Sequence, residues 1–464
     1  MQQTYSEKLA QYVAELNYQQ LPKETVKKTR QCLTDYLGGV FHAYGTETAE
    51  IYVNLARELG GDGNAPILGS DVKTTASYAA FANAALGHIA ETDDGHRASI
   101  MHIGTVVFPV IFALKSECSF DGQKLIEAAV CGYDLAIRVG ECLGQGHYNT
   151  WHTTATAGTF GAAATAAKLL GLNEEQTMWA IGHAGTQMAG LWQFLDDDCL
   201  TAKVLHPAKS AQNGIIAAYA AKANIPGPRH IFDGKRGVAG AFSTNADLAL
   251  LTKNLGAKYK VDEANFKAYP TCGQTHSMID ALRKIWDGHD IKPEDVEHVD
   301  VRVYQKTIDI ANIENPTTVA QAKFSVKYCL AHLMINGTLS FTNITSESVA
   351  DPAIKSLMKK IDVKNIELLI VDGHVYTDNK TYGLGGYTWE ALSKKIPIIG
   401  VAKRPFYSNK ETIKEVYRGE SKHPLYISSI GIELDKAAEL IQNMKGEYRI
   451  PTILKELDKL TKGN

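Results

Sequence analysis

The chain has 464 residues, of which 45% are hydrophobic and 21% charged, a length at which two domains are the first expectation. A net charge of −3, with no basic stripe interleaved with aromatics, argues against a nucleic-acid or membrane-surface protein. Met1–Tyr5 shows no basic and then apolar leader pattern, and no run of about 18 apolar residues occurs, so neither a signal peptide nor a membrane span is expected. The seven cysteines (32, 118, 131, 142, 199, 272 and 329) are scattered and lack CxxC pairing, which points to a reducing compartment, a cytoplasmic location and no zinc finger.

Taken in chain order, residues 1 to about 260 read as nearly continuous helix. Leu9, Tyr12, Val13 and Leu16 recur at helical spacing. Pro22 suits a helix start, and Val26, Cys32, Leu33, Tyr36 and Leu37 continue an apolar face. Ala49, Tyr52, Val53 and Ala56 mark a third helix ended by Gly60 and Gly61. Further helices fit 75–90, 105–116, 121–144, 155–170, 174–190 and 208–223, with Asn173 and Gln176 forming a capping box. Small residues dominate 155–190, a composition that permits close approach of backbones or of a ligand.

After about 265 the character changes. Residues 297–304 alternate as a half-buried strand does, and 366–371 and the stretch from Tyr387 onward are further strand candidates. Residues 320–334 and 350–360 are helical in pattern, as is the tail from Leu434. The expected fold is mainly α: a large all-helical domain over 1–265, completed by 401–464, with an inserted smaller α+β lid domain at 266–400.

Four segments concentrate polar groups beside apolar ones. His88–Gly104 holds Glu91, Asp93, Asp94, His96, Arg97 and His102 between two apolar runs. The others carry His147 and His152; Lys203, His206 and Lys209; and Lys267, Tyr269, Cys272 and His276. Acids, imidazoles and cations buried in this way are costly unless they pair with each other or with a ligand. Plainer readings stand beside the functional one. The aspartates could cap a helix, His152 could be a satisfied core imidazole, Lys203 and Lys209 could lie on a solvated face, and Cys272 could be an inert buried thiol. Asp93, Asp94, His96 and His102 are also of metal-ligating type, but their spacing matches no standard signature. No GxSxG, Walker A or GxGxxG motif occurs.

Together the segments resemble the MmgE/PrpD family, which includes 2-methylcitrate dehydratases, cis-aconitate decarboxylases and iminodisuccinate epimerases. Five pieces in family order carry the resemblance. They are His88, Glu91, Asp93 and Asp94 followed by His102 and Gly104; residues 151–163; Thr201 to Ala211; Lys267 to His276; and Ala322 to Tyr328. The resemblance implies a helical domain with an α+β lid, an active site in the cleft between them, and a homodimer. By position it implies functional roles for Glu91, His102, His152, Lys203 and Lys267. The chain departs from the decarboxylases in four ways: Glu91 replaces an aspartate, Gly95 a threonine and Cys272 a histidine, and the spacing from Glu91 to His102 is one residue longer.

The reactions of such a family add or remove a proton beside carboxylates. Arg97, Lys203 and Lys267 would clamp the substrate, with Glu91, Asp94, His206, Lys209 and Cys272 as further binding residues. His102 or His152 would be the general base, and the other, or Tyr269, the general acid. No metal or organic cofactor is required. The expected activity is that of a hydro-lyase on a small polycarboxylate of the 2-methylcitrate type, with a dicarboxylate epimerase or a cis-aconitate-type decarboxylase as alternatives.

Overall fold

The computed structural model describes residues 3–461 apart from Asp198, Asn379, Ser393, Tyr407, Ser408 and Lys410. Met1 and Gln2 of the N-terminal segment lie outside the described residues. The fold is mainly α, as expected. The chain forms two compact units, one of residues 1–299 and 310–361 and the other of residues 300–309 and 362–464.

The first unit opens with α1 (Tyr5–Glu15), α2 (Lys23–Ala43) and α3 (Glu47–Gly60). A short antiparallel pair, β1 (Ala65–Pro66) and β2 (Lys73–Thr74), leads into α4 (Ala76–Ile89). Then come α5 (Gly104–Leu114), α6 (Gly122–Tyr148), α7 (Thr153–Leu169) and α8 (Glu174–Gln187). The helix Leu205–Lys222 follows. The capping box at Asn173 and Gln176 is present as read from the sequence.

Every residue of α7 is buried, which explains its composition. Ala, Gly and Thr let neighbouring backbones come within reach on all sides. At Gly161 a Cβ would lie 2.7 Å from the Gly132 carbonyl oxygen and 2.8 Å from the Ala136 Cβ, so a larger residue has no room.

The second unit has its own apolar clusters, one around Ile399, Val401, Leu425, Ile427, Ala437 and Ile441. The chain enters it along β3 (Val299–Val303) and again along β4 (Ile361–Asn365), which pair with each other. A four-stranded sheet then has the order β5–β6–β8–β7, from β5 (Leu369–Asp372), β6 (Ile398–Ala402), β7 (Ile413–Val416) and β8 (Leu425–Ile430). β5 and β6 are parallel; β8 is antiparallel to both β6 and β7.

Two expectations differ from this arrangement. The stretch from Tyr387 is not a strand: Leu384–Ala391 is helix, and the strand begins only at Ile398. Tyr387, Thr388 and Trp389 favour strands intrinsically, but context overrides such weak preferences. The contact boundary also divides the chain differently from the expected domains. Residues 401–464 belong with 362–400, because β7 and β8 extend the sheet begun by β5 and β6.

Candidate functional site

All groups of the site lie in the first unit. His88 stands near the end of α4, and the loop from Ala90 to Ile103 carries Glu91, Asp93, Asp94 and His102. His152 precedes the first residue of α7. Lys203 comes from the turn Leu200–Val204 and His206 from the helix after it. Lys267 and Cys272 come from 267–272, and Lys323 directly follows the short helix Val319–Ala322.

The loop is held in an uncommon conformation. Glu91 has φ 58° and Ile100 φ 49°, left-handed values that side-chain-bearing residues rarely adopt. Such strain persists where surrounding bonds over-determine it, and here they do. Lys203 Nζ donates to Glu91 Oε1 at 2.5 Å; Lys267 Nζ donates to Glu91 Oε2 at 3.1 Å and to the Glu91 carbonyl at 2.9 Å. Burial works to raise the Glu91 carboxyl, but the two lysines outweigh it and hold it well below the usual range.

Asp94 anchors the other end of the loop. Its Oδ1 accepts from the Gly104 N–H at 2.8 Å and the Ile103 N–H at 3.3 Å, and its Oδ2 accepts from the Tyr133 hydroxyl at 2.5 Å. It therefore satisfies free N–H groups at the start of α5. This is the capping role among the sequence alternatives, and it engages both carboxylate oxygens.

Four imidazoles form a row. Ring centroids are 5.3 Å apart between His102 and His88, 6.3 Å between His88 and His152, and 5.1 Å between His152 and His206. His88 Nδ1 meets Asp93 Oδ2 at 2.6 Å. Burial raises the Asp93 carboxyl, but His102, His88 and Lys267 bring it down to about 2. His102 Nδ1 faces the Asp94 carbonyl at 2.9 Å and the Asp93 carbonyl at 3.3 Å. Carbonyl oxygens only accept, so this nitrogen carries the hydrogen and Nε2 keeps its lone pair. Burial pushes the His102 imidazole down to about 4, so it is neutral at pH 7. His152 Nδ1 lies 2.9 Å from His206 Nδ1, and burial also lowers both rings, His206 to about 4. His102, His152 and His206 thus form a set of desolvated, neutral imidazoles beside a lysine-clamped carboxylate.

Of the residues singled out in the sequence, Glu91, His102, His152, Lys203, His206 and Lys267 come together, with Cys272 buried among them. Burial raises the Cys272 thiol despite nearby Lys203 and Lys267, so the thiol stays protonated at neutral pH. Three residues point elsewhere. Arg97 is exposed, because an antiparallel bridge between His96 and Met101 turns the intervening residues back on themselves. Lys209 is exposed and donates to Gln212 Oε1 at 2.5 Å. The Tyr269 hydroxyl donates to Asp280 Oδ1 at 2.7 Å. The metal-type set of Asp93, Asp94, His96 and His102 is not gathered either. Among the described residues the three-membered ligand-type group is His96, Glu141 and Glu263, with the Lys260 ammonium 2.8 Å from Glu141 and 3.0 Å from Glu263.

Sequence reasoning missed three members. His88 and Asp93 figured in the motif but not among the substrate-handling residues, and Lys323 stood in the fifth motif unremarked. Burial in an apolar helix was the signal for His88, and its place in the fifth motif was the signal for Lys323.

Comparisons with known proteins agree with the motif reading. The MmgE/PrpD N-terminal domain profile matches residues 7–251 and the C-terminal domain profile residues 269–368. Cis-aconitate decarboxylase of Mus musculus is 25% identical over 386 residues, covering 79% of this chain and 76% of that protein. The Homo sapiens enzyme is 23% identical over 411 residues, covering 82% and 83%. A separate likeness, 35% over 100 residues, is to Endonuclease V of Pyrococcus horikoshii, covering 22% of this chain and 44% of that protein. Among the described residues no helix is long and apolar enough to cross a membrane. The two profiles between them span well over half of the chain, and the chain belongs to the MmgE/PrpD family.

Proposed function

We propose that the first unit is a cofactor-independent lyase for a small polycarboxylate, a hydro-lyase of the 2-methylcitrate type being the first reading. The observation that carries it is the His102 geometry: a neutral imidazole whose Nδ1 hydrogen is fixed on two carbonyls, leaving Nε2 free to accept a proton beside Lys203, Lys267 and Glu91. In this reading His102 Nε2 removes the proton next to a substrate carboxylate. The lysines stabilise the negative charge that develops there, in surroundings where such charges interact strongly. The proton taken up by His102 is then passed to the departing hydroxyl, which leaves as water as the double bond forms, so that the imidazoles end the cycle as neutral as they began it. The Tyr269 hydroxyl, turned to Asp280, is set aside as the acid.

The decarboxylase relatives support a second reading within the same chemistry. Carbon dioxide leaves from a substrate carboxylate and the same imidazoles return a proton to the carbon. An epimerase, returning the proton to the opposite face, needs the same groups. Proton NMR in D₂O with citrate, 2-methylcitrate, cis-aconitate, isocitrate and iminodisuccinate separates them. A new vinyl signal with loss of water supports the hydro-lyase, loss of a carboxylate the decarboxylase, and deuterium at a stereocentre without elimination the epimerase. His152→Ala and Lys203→Ala are expected to lose about a hundredfold in turnover or more, and near-normal rates in both folded variants would sink the assignment.

The Endonuclease V likeness supports one separate reading, that about 100 residues of the chain derive from a nucleic-acid-handling protein. The charge argument against nucleic acid applies to the chain as a whole and is weaker for so short a stretch. Gel-shift and cleavage assays with single- and double-stranded DNA and RNA test it; no shift and no cleavage would remove it.

A further inference from the structure

Lys323 stands apart from the other two lysines of the site. Lys203 and Lys267 both grip Glu91, and Lys267 also lies 4.0 Å from Asp93 Oδ1. Two cations thus answer two carboxylates. Lys323 is buried, 8% exposed, and its Nζ donates to the Ala90 carbonyl at 3.0 Å. Among the described residues no carboxylate lies within ion-pair distance of it. An ammonium has three hydrogens to donate, and one carbonyl takes only one. A buried cation without a counter-charge is costly to keep, and its persistence beside a catalytic cluster points to a ligand that completes it.

Its surroundings fit an anion. Glu91 and Asp93 from the loop, Lys267 from the 267–272 segment, Lys203 from its turn and His42 from α2 are the charged and titratable groups that feel it. Lys203 and Lys267 are engaged by Glu91, and Lys323 is the lysine of the cluster left with a carbonyl alone among the described residues. We propose that Lys323 is the anchor for one carboxylate of the substrate, giving the site its preference for polycarboxylates. The proposal rests on the polycarboxylate reading above. It is supported by the state of the amine: burial, together with Lys267 and Lys203, brings it down to about 8 despite the pull of Glu91. A carboxylate bound against it would restore the proton, so binding above pH 8 would take one up.

The test uses propane-1,2,3-tricarboxylate, which has no hydroxyl to eliminate, in calorimetric titrations of the full chain at pH 8.5. Buffers of different ionisation enthalpy report the protons taken up. The wild type is expected to bind with proton uptake. Lys323→Met is expected to bind at least about tenfold more weakly with the uptake abolished, and Lys323→Arg to keep most of the affinity without the uptake. Equal affinity and equal uptake in wild type and Lys323→Met would overturn the role of Lys323 while leaving the polycarboxylate reading standing. Binding by the wild type without proton uptake would also overturn it, whether or not either variant folds. No binding to the wild type would defeat the polycarboxylate reading itself, and the anchor with it.

Discussion

His88 Nδ1 and Asp93 Oδ2 are 2.6 Å apart with both side chains almost wholly out of solvent, a short hydrogen bond within the candidate site rather than at its edge. Asp93 falls to about 2 from an ordinary 3.8, so the folded state binds its proton less readily than the unfolded chain. That contribution to stability is complete above about pH 4 and disappears as the pH falls through 2. It amounts to about 2 kcal/mol. Asp93→Asn should therefore lower the melting temperature at pH 7 and flatten its decline between pH 4 and pH 2. An unchanged acid limb in thermal scans would show that the pair does not govern acid stability.

In the proposed role as a base, His102 can act only when neutral. With its imidazole near 4, kcat/KM should hold level through neutrality and fall as the pH drops through about 4, in the range where His206 also gains its proton. His102→Ala should lose about a hundredfold in turnover or more. A profile already falling near pH 6.5 would contradict the desolvated state of these rings.

The family resemblance sets Gly95 at a position of threonine in decarboxylases. A Cβ built there meets the Met101 carbonyl oxygen at 3.5 Å and His102 Nδ1 at 3.9 Å, both ordinary contacts. Gly95→Thr should fold with a melting temperature within a few degrees of the wild type and place a hydroxyl near His102. If product analysis shows the ratio of decarboxylation to dehydration unchanged, this position does not select between the two.

Gly190 has no such freedom. Its φ is +137°, and a Cβ would lie 2.3 Å from the Ala155 Cβ and 3.4 Å from the His206 ring. Its carbonyl also accepts the His152 N–H at 2.9 Å. Gly190→Ala should cost on the order of 2 kcal/mol and disturb the His152–His206 contact. Denaturant titration measures the first and turnover the second; a neutral result in both would mean that this turn relaxes freely.

Much of the first unit was legible because helical periodicity and caps are local. The segments at 75–90, 155–170 and 174–190 fell within a few residues of their observed ends. The site was legible where several polar groups crowd one short stretch, as at Glu91 to His102. It failed where direction decides. Arg97 has the right chemistry five residues from His102, but a backbone bridge turns it outward. Tyr269 follows Lys267 by two residues, yet its hydroxyl finds Asp280. Lys323 stood in a motif, but no neighbour in sequence gave it a role, since its meaning comes from groups more than fifty residues away. The tail helices were legible as helices, but an apolar stripe tells which face is covered and not by what, so residues 401–464 were assigned to the other unit.

The division between units also bears on inheritance. Both family profiles end by residue 368, and every ionisable group gathered in the site is encoded between positions 88 and 323. Recombination downstream of the second profile could replace the rest of the coding sequence and leave every ionisable group of the candidate site untouched. The two parts of this gene are therefore free to have separate ancestries and to diverge at separate rates.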